Sequence, residues 1–121
     1  MHKFLTLFVV LPLIGCQTPS DLREKKPHLE LTSKLPAKAV ATCIAERTEN
    51  ITYGGRVLPV IMRPTTVGYN LATHYSNSMV ANTVWVIDLK EIADGSSTRY
   101  YKNEMLPISS DYDQAIKECQ Q

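Results

Sequence analysis

The sequence predicts an α+β fold, in which an antiparallel four-stranded sheet, connected as a meander, carries an N-terminal and a C-terminal helix packed on one face. Apolar residues recur at helical spacing near Cys43 and again near Cys119. Between these two segments, stretches rich in β-branched and aromatic residues are separated by Gly and Pro turn signals. Each predicted helix therefore carries one cysteine, and a disulfide would link the two helices.

The N-terminal helix is predicted to begin near Pro36, because proline is well tolerated in a first helical turn. Apolar residues then follow at positions i, i+3, i+4 and i+7, namely Ala37, Val40, Ala41 and Ile44. This spacing gives the helix one apolar face. Gly54-Gly55 lacks the glycine spacing and the following helix of a phosphate-binding loop, so we interpret it as a turn.

Four segments have the composition of strands, and they span 56–63, 66–75, 80–89 and 98–102. Pro59 cannot donate a hydrogen bond to a neighbouring strand, so the first segment is expected to be an edge strand or an interrupted one. The third segment is the most apolar and is expected at the centre of the sheet. Asp94-Gly95 marks the turn before the fourth segment.

The C-terminal helix is expected to be capped by Ser109 or Ser110. Its apolar positions again have helical spacing, and they are Tyr112, Ala115, Ile116 and Cys119. Asp111 and Asp113 lie near the positive end of this helix, where negative charge is favourable. Cys119 is therefore expected on the buried side of the helix.

The N-terminus has the pattern of a signal peptide. His2 and Lys3 precede an apolar run over 4–14 that ends in a polar segment. This run is too short to cross a bilayer, which takes about 20 apolar residues. An ordinary secretory peptide, in which Cys16 is incidental, is the alternative to a lipoprotein signal.

The segment Leu13-Ile14-Gly15-Cys16 resembles the lipobox of bacterial lipoproteins. The resemblance implies cleavage before Cys16 and acylation of that cysteine. Two or more acyl chains anchor a protein stably, whereas one chain holds it only marginally. Gln17 follows in place of the aspartate that favours retention in the inner membrane, so the resemblance implies a lipid-anchored protein of the outer membrane that faces the periplasm.

The chain is expected to have three parts: a signal peptide over 1–15, a lipidated flexible tether over 16–33 and a single α+β domain over 34–121. The tether segment contains two prolines, several charged residues and no sustained apolar period. As a coil of about 17 residues it would span on the order of 20 to 25 Å, enough to hold the domain off the lipid headgroups.

With Cys16 assigned to lipid, Cys43 and Cys119 remain as one pair in an exported protein. A disulfide is the expected use of that pair. A metal site or a nucleophilic cysteine is the alternative, but no CxxC or HxxxH motif occurs, and His28 and His74 stand alone in the sequence. The bridge would stabilise the domain by about 4.5 kcal/mol in the chain-entropy description.

Charge and motifs favour no catalytic or nucleic-acid-binding class. The chain has thirteen Lys and Arg against twelve Asp and Glu, and loss of Lys3 with the signal peptide leaves a formal charge of zero. His74 is expected on the polar face of a strand, without a catalytic partner. Asp88, Glu91 and Asp94 are interpreted as the end of a strand and a turn rather than a metal or acid–base cluster. We therefore predict no cofactor, no metal ion, no nucleic-acid partner and no enzymatic activity.

Aromatic and arginine side chains provide one candidate binding patch, because Tyr, Trp and Arg are enriched at binding hot spots. Its residues are Tyr69, Tyr75, Trp85, Arg99, Tyr100 and Tyr101. The alternative is that these aromatics fill the core and pair across strands. Only common exposure of several of them would make the patch a binding surface.

The anchor and the missing catalytic motif together favour a non-catalytic binding or accessory lipoprotein with an envelope protein as its partner. The two cysteine helices resemble those of small bacterial or prophage-encoded lipoproteins, a resemblance that implies no activity. An inhibitor of a cell-wall hydrolase is one alternative, although the Ser-Gly-x-x-Tyr loop of lysozyme inhibitors is missing from the sequence. A surface-exclusion lipoprotein derived from a phage or plasmid is another.

Overall fold

The computed structural model describes residues 17–76 and 81–121. The predicted signal peptide, Cys16 and the first residue of the predicted third strand, Val80, lie outside the described residues. The elements are α1 (Pro19–Arg23), β1 (Leu29–Ser33), α2 (Ala37–Thr48), β2 (Thr52–Tyr53), β3 (Arg56–Val57), β4 (Val60–Pro64), β5 (Gly68–Ser76), β6 (Ala81–Ile92), β7 (Gly95–Lys102) and α3 (Asp111–Glu118). Within the described ranges, no helix combines the length and the apolar character needed to cross a membrane.

The main sheet is antiparallel and has five strands in the order β1-β7-β6-β5-β4. This confirms the α+β class and the antiparallel sheet, but the prediction of four strands is wrong. The additional strand is β1, which lies outside the predicted domain and pairs with β7. A separate hairpin joins β2 to β3, and Gly54 and Gly55 form its turn with φ angles of 56° and 78°. The turn predicted at these two glycines is thus confirmed.

The segment expected to be a flexible tether differs most from its prediction. Over 17–33 the chain forms α1 and β1 and is part of the fold. Leu22 is only 1% exposed, and Leu29 of β1 lies opposite Tyr100 of β7. The physical reason is tertiary, because β1 covers the edge that β7 would otherwise expose. β1 has only five residues, and no alternating apolar pattern extends beyond it. Its sequence is therefore too short to be recognised as a strand.

Two hydrophobic clusters lie along the sheet. The larger one joins buried residues of α2 and α3 with residues of the strands, including Ile44, Trp85, Ile87, Tyr100 and Tyr112. The rings of Trp85 and Tyr112 lie 6.0 Å apart, and those of Trp85 and Tyr100 lie 6.4 Å apart. The smaller cluster contains Leu22 of α1 with Val86 and Tyr101. Because Val86 alternates with Trp85 and Ile87 along β6, α1 packs on the opposite face of the sheet.

The predicted disulfide between Cys43 and Cys119 is confirmed. It joins α2 to the C-terminal end of α3, with the two Cα atoms 5.7 Å apart and 76 residues apart in sequence. An ion pair between Arg47 and Glu118 joins the same two helices. The bridge therefore closes most of the domain into one loop.

Glu91 has a structural role that its sequence position does not reveal. Pro36 at the start of α2 provides no side-chain cap. Glu91 Oε1 instead accepts a hydrogen bond of 2.7 Å from the backbone N–H of Ala37. The negative charge of this carboxylate is also stabilising beside the positive N-terminal end of the helix dipole. The sheet thus supplies the cap that the helix sequence lacks.

Candidate binding surface

A row of polar residues crosses the sheet on the face that carries α1. The strand registers place Glu30, Arg99, Asp88, Asn70 and Arg63 directly opposite one another, from β1 through β7, β6 and β5 to β4. Neighbouring side chains on one face of a sheet interact at this spacing. Because the charged members alternate in sign, the row favours the pairing of all five strands.

Arg23 of α1 closes onto this row. Its Nε and Nη2 donate to the two carboxylate oxygens of Asp88, each at 2.8 Å. In the amide orientation that satisfies its partners, Asn70 also donates to Asp88 Oδ1 at 3.0 Å. The hydrogen bond to Asp88 raises the pKa of Arg23. A bidentate pair of this kind fixes geometry as well as charge, so α1 is held in one place on the sheet.

An open groove of about 460 Å³ lies beside α1. Three cationic side chains, Arg23, Lys90 and Arg99, and one carboxylate, Asp88, contribute to its lining, together with the buried Tyr101. Arg99 Nε is 3.2 Å from Glu30 Oε1, but both side chains are mostly exposed. An exposed pair of this kind contributes little to stability, about 0 to 1 kcal/mol. Arg99 is therefore free to exchange Glu30 for another acidic partner.

Two exposed apolar side chains lie at one end of the groove. Val67 belongs to the turn between β4 and β5, and Ile92 is the last residue of β6. The turn is held against β6, since the N–H of Glu91 donates to the carbonyl of Val67 at 2.8 Å. Adjacent exposed apolar side chains with a polar rim are a feature of interaction surfaces, whereas single exposed apolar side chains are ordinary. The groove therefore combines cationic walls with an apolar rim.

The predicted patch does not form a common surface. Trp85 and Tyr100 are fully buried in the larger cluster, and Tyr69 and Tyr75 are half-buried against that same cluster. Only Arg99 and Tyr101 line the groove. The patch prediction is wrong because adjacent residues of a strand point to opposite faces. Trp85 and Tyr100 instead fill the core, which was the alternative considered for these aromatic residues.

The other groove residues were missed in the sequence. Arg23 lay in the segment interpreted as a tether, although Thr18 and Asp21 form a capping box around Pro19. That box is the sequence signal that would have revealed α1. No local sequence pattern indicates that Lys90 lines a groove, because most of the residues that line the groove with it come from other elements of the chain.

A second polar cluster joins β1 to α3. His28 Nε2 lies 2.8 Å from Asp113 Oδ2, and His28 Nδ1 lies 3.9 Å from Glu104 Oε1. The His28 ring meets the Tyr100 ring edge-on at 5.6 Å. The Tyr100 hydroxyl is buried without a hydrogen-bond partner, and burial, with the nearby charge of Asp113, raises its pKa. This cluster ties the start of β1 to the last helix.

His74 occupies the exposed strand position expected for it, with Nδ1 3.1 Å from Thr83 Oγ1. Over 17–76 and 81–121, no three or more His, Cys, Asp or Glu residues are grouped so as to hold a metal ion. Comparison with protein families, curated proteins and solved structures gives no match to this chain.

Proposed function

We propose that this chain is a lipid-anchored protein of the outer membrane, facing the periplasm, whose domain is a non-catalytic module that binds an envelope protein. The groove beside α1 carries this proposal. Its cationic walls and apolar rim fit a partner segment that combines acidic and apolar side chains. Arg and Tyr at such a site are typical of residues that carry binding energy.

The division of the sheet supports the same proposal. We infer that α2 and α3 pack together on one face, since buried residues of both share a cluster with Trp85. Among the described residues, the other face bears the short helix α1 and the groove. A face left partly open in a domain that already has its core is available for recognition.

The position of the groove relative to the chain start also supports it. Gln17 directly follows the proposed lipidated cysteine. Its backbone carbonyl accepts a hydrogen bond from the N–H of Thr83, near the start of β6. Lys90 and Ile92 lie toward the end of the same strand. The seven residue steps from Thr83 to Lys90 span about 24 Å of strand. This separation supports an orientation in which the apolar rim lies away from the proposed anchor and faces the periplasm.

A photocrosslinking residue at Ile92, introduced into the full chain in living cells, tests the groove. Ile92 is 41% exposed, and Val57 of the β2–β3 hairpin is an apolar control that is 62% exposed. We expect a discrete crosslinked protein from position 92 and not from position 57. Equal products from both positions, or none from position 92 at native expression, would exclude the groove as the binding site.

Charge reversal provides a second measure of the same site. Arg99→Glu should reduce the yield of the crosslink at position 92 about tenfold, the equivalent of about 1.4 kcal/mol in binding. Arg56→Glu, an exposed arginine of the β2–β3 hairpin, is the matched control and should leave the yield unchanged. An equal loss in both variants would indicate general electrostatics rather than a specific groove.

The anchor is tested separately through Cys16. Cys16→Ala should abolish acylation and release the protein from membranes, because the acyl chains provide the attachment. Membrane fractionation and intact mass measurement check this. Globomycin blocks the processing of lipoprotein precursors. A precursor that stays membrane-bound after the substitution, and whose processing is still sensitive to globomycin, would contradict the proposed lipobox.

A further inference from the structure

Gln17 is part of the folded domain. Its backbone N–H donates to Asn82 Oδ1 at 2.9 Å, and its carbonyl accepts from the N–H of Thr83 at 3.0 Å. Thr18 then caps α1, and Leu22 and Arg23 fix that helix on the sheet. From Gln17 to Arg23, therefore, the chain is held by the domain.

Cys16, the proposed acylation site, directly precedes Gln17 in the chain. Consecutive Cα atoms lie about 3.8 Å apart across a trans peptide, so the acylated residue cannot be far from the domain surface. A flexible tether of about 17 residues would instead place the domain on the order of 20 to 25 Å away. With Cys16 acylated as proposed, no such tether separates the lipid from the domain.

Met105 is a large apolar side chain at this end of the molecule. It is 66% exposed, and its sulfur lies 4.0 Å from Gln17 Nε2. Its backbone is held by Asn103, whose side-chain oxygen accepts from the N–H of Met105 at 3.0 Å. Asn103 is itself buried and donates to the carbonyl of Thr83 at 3.1 Å. An exposed apolar side chain thus lies on a hydrogen-bonded turn beside Gln17.

We propose that the end of the domain around Gln17 and Met105 rests on the bilayer, with the Met105 side chain in the boundary between headgroups and acyl chains. This inference rests on the proposed acylation of Cys16. The direct connection to Gln17 brings this end to the membrane, and the apolar thioether is suited to the interface. The lipid anchor then sets the orientation of the whole domain, with the groove directed away from the membrane.

Brominated lipids, which quench tryptophan at the bilayer interface, test the contact. The acylated full chain carrying Met105→Trp is reconstituted in vesicles of phosphatidylethanolamine and phosphatidylglycerol with brominated acyl chains. Ile92→Trp, at the other end of β6, is the matched control, and the buried Trp85 of the unchanged protein gives the background. We expect loss of most of the added emission from position 105 and no loss from position 92.

A second variant isolates the direct connection. Inserting about ten Gly and Ser residues between Cys16 and Gln17 adds a coil of about 17 Å. We expect the insertion to restore most of the emission of Met105→Trp. Retained quenching in the insertion variant would overturn the rigid placement, as would equal quenching at positions 105 and 92.

Intact mass distinguishes failure of the anchor from failure of this inference. An acylated protein in which Met105→Trp is not quenched would overturn the bilayer contact and leave the lipoprotein proposal standing. A mature chain without acyl mass would overturn both.

Discussion

The two faces of the main sheet are built from alternating residues of the same strands, yet one is mainly apolar and the other joins a small apolar cluster to a row of polar residues. On one face Trp85, Ile87 and Leu89 of β6 are buried in the larger cluster. On the other, Asp88 and Lys90 line the groove. The comparison teaches that one strand supplies the core with one set of residues and the candidate binding surface with the other. Stability is expected to depend on the first face and binding on the second.

The largest expected effect is loss of the bridge behind the core face. Replacing Cys43 and Cys119 together by alanine should lower the free energy of unfolding by about 4.5 kcal/mol, because a long loop of the unfolded chain is no longer closed. Chemical denaturation of the soluble domain measures this. A loss below about 1 kcal/mol would mean that the packing of α2 and α3 does not need the bridge.

A matched pair of truncations compares the two faces directly. Ile87→Ala in the larger cluster should cost about 4 kcal/mol, and Leu22→Ala in the smaller cluster about 2.5 kcal/mol, because a small cluster at the surface relaxes around the lost volume more easily. Denaturant unfolding of both variants gives the difference. An equal or greater cost at Leu22 would show that the α1 face carries as much of the core as the other.

The ion pair beneath α1 is expected to have a smaller effect. Arg23→Gln removes the bidentate partner of Asp88, and since both side chains are partly exposed the cost should be about 1 kcal/mol. Hydrogen exchange should report faster opening of the α1 amides with little change in β6. Arg99→Gln, which loses only the exposed pair with Glu30, is the control and should leave unfolding almost unchanged. Equal costs would contradict a specific role of Arg23 in holding α1.

The smallest effect at neutral pH is expected from Tyr100→Phe. The buried hydroxyl lacks a hydrogen-bond partner, so its removal should change stability by less than about 0.5 kcal/mol or raise it slightly. A measurable loss at neutral pH would indicate a hydrogen bond to this hydroxyl.

The same substitution should matter at alkaline pH. Burial raises the pKa of Tyr100 in the folded protein, whereas the unfolded phenol ionises near pH 10. The folded state therefore retains a proton that the unfolded state releases, and stability falls as pH rises above about 10. Tyr100→Phe should lessen this fall in denaturation curves recorded across that range. An identical alkaline profile would exclude Tyr100 as its source.

The elements that were predicted from the sequence share one property. In each of them, the pattern that indicates the structure lies within a single segment of the chain. Helical spacing predicted α2 and α3, and β-branched composition bounded by turns predicted the positions of β4 to β7 to within a few residues. Pro59 interrupts the first of these segments between β3 and β4, as expected. The disulfide followed from the cysteine count, because assigning Cys16 to lipid leaves Cys43 and Cys119 as one pair. Local periodicity and turn chemistry were sufficient for these helices and strands.

Tertiary structure decided the existence of β1, the place where α1 packs and the groove. β1 exists because β7 offers it an edge, and α1 packs because Val86 and Tyr101 offer it an apolar contact. The groove follows from that placement, since its walls come from one helix and several strands that are far apart in sequence. A helix as short as α1 is not stable in isolation, even with a capping box at its start. Its conformation is fixed only by the surface on which it packs.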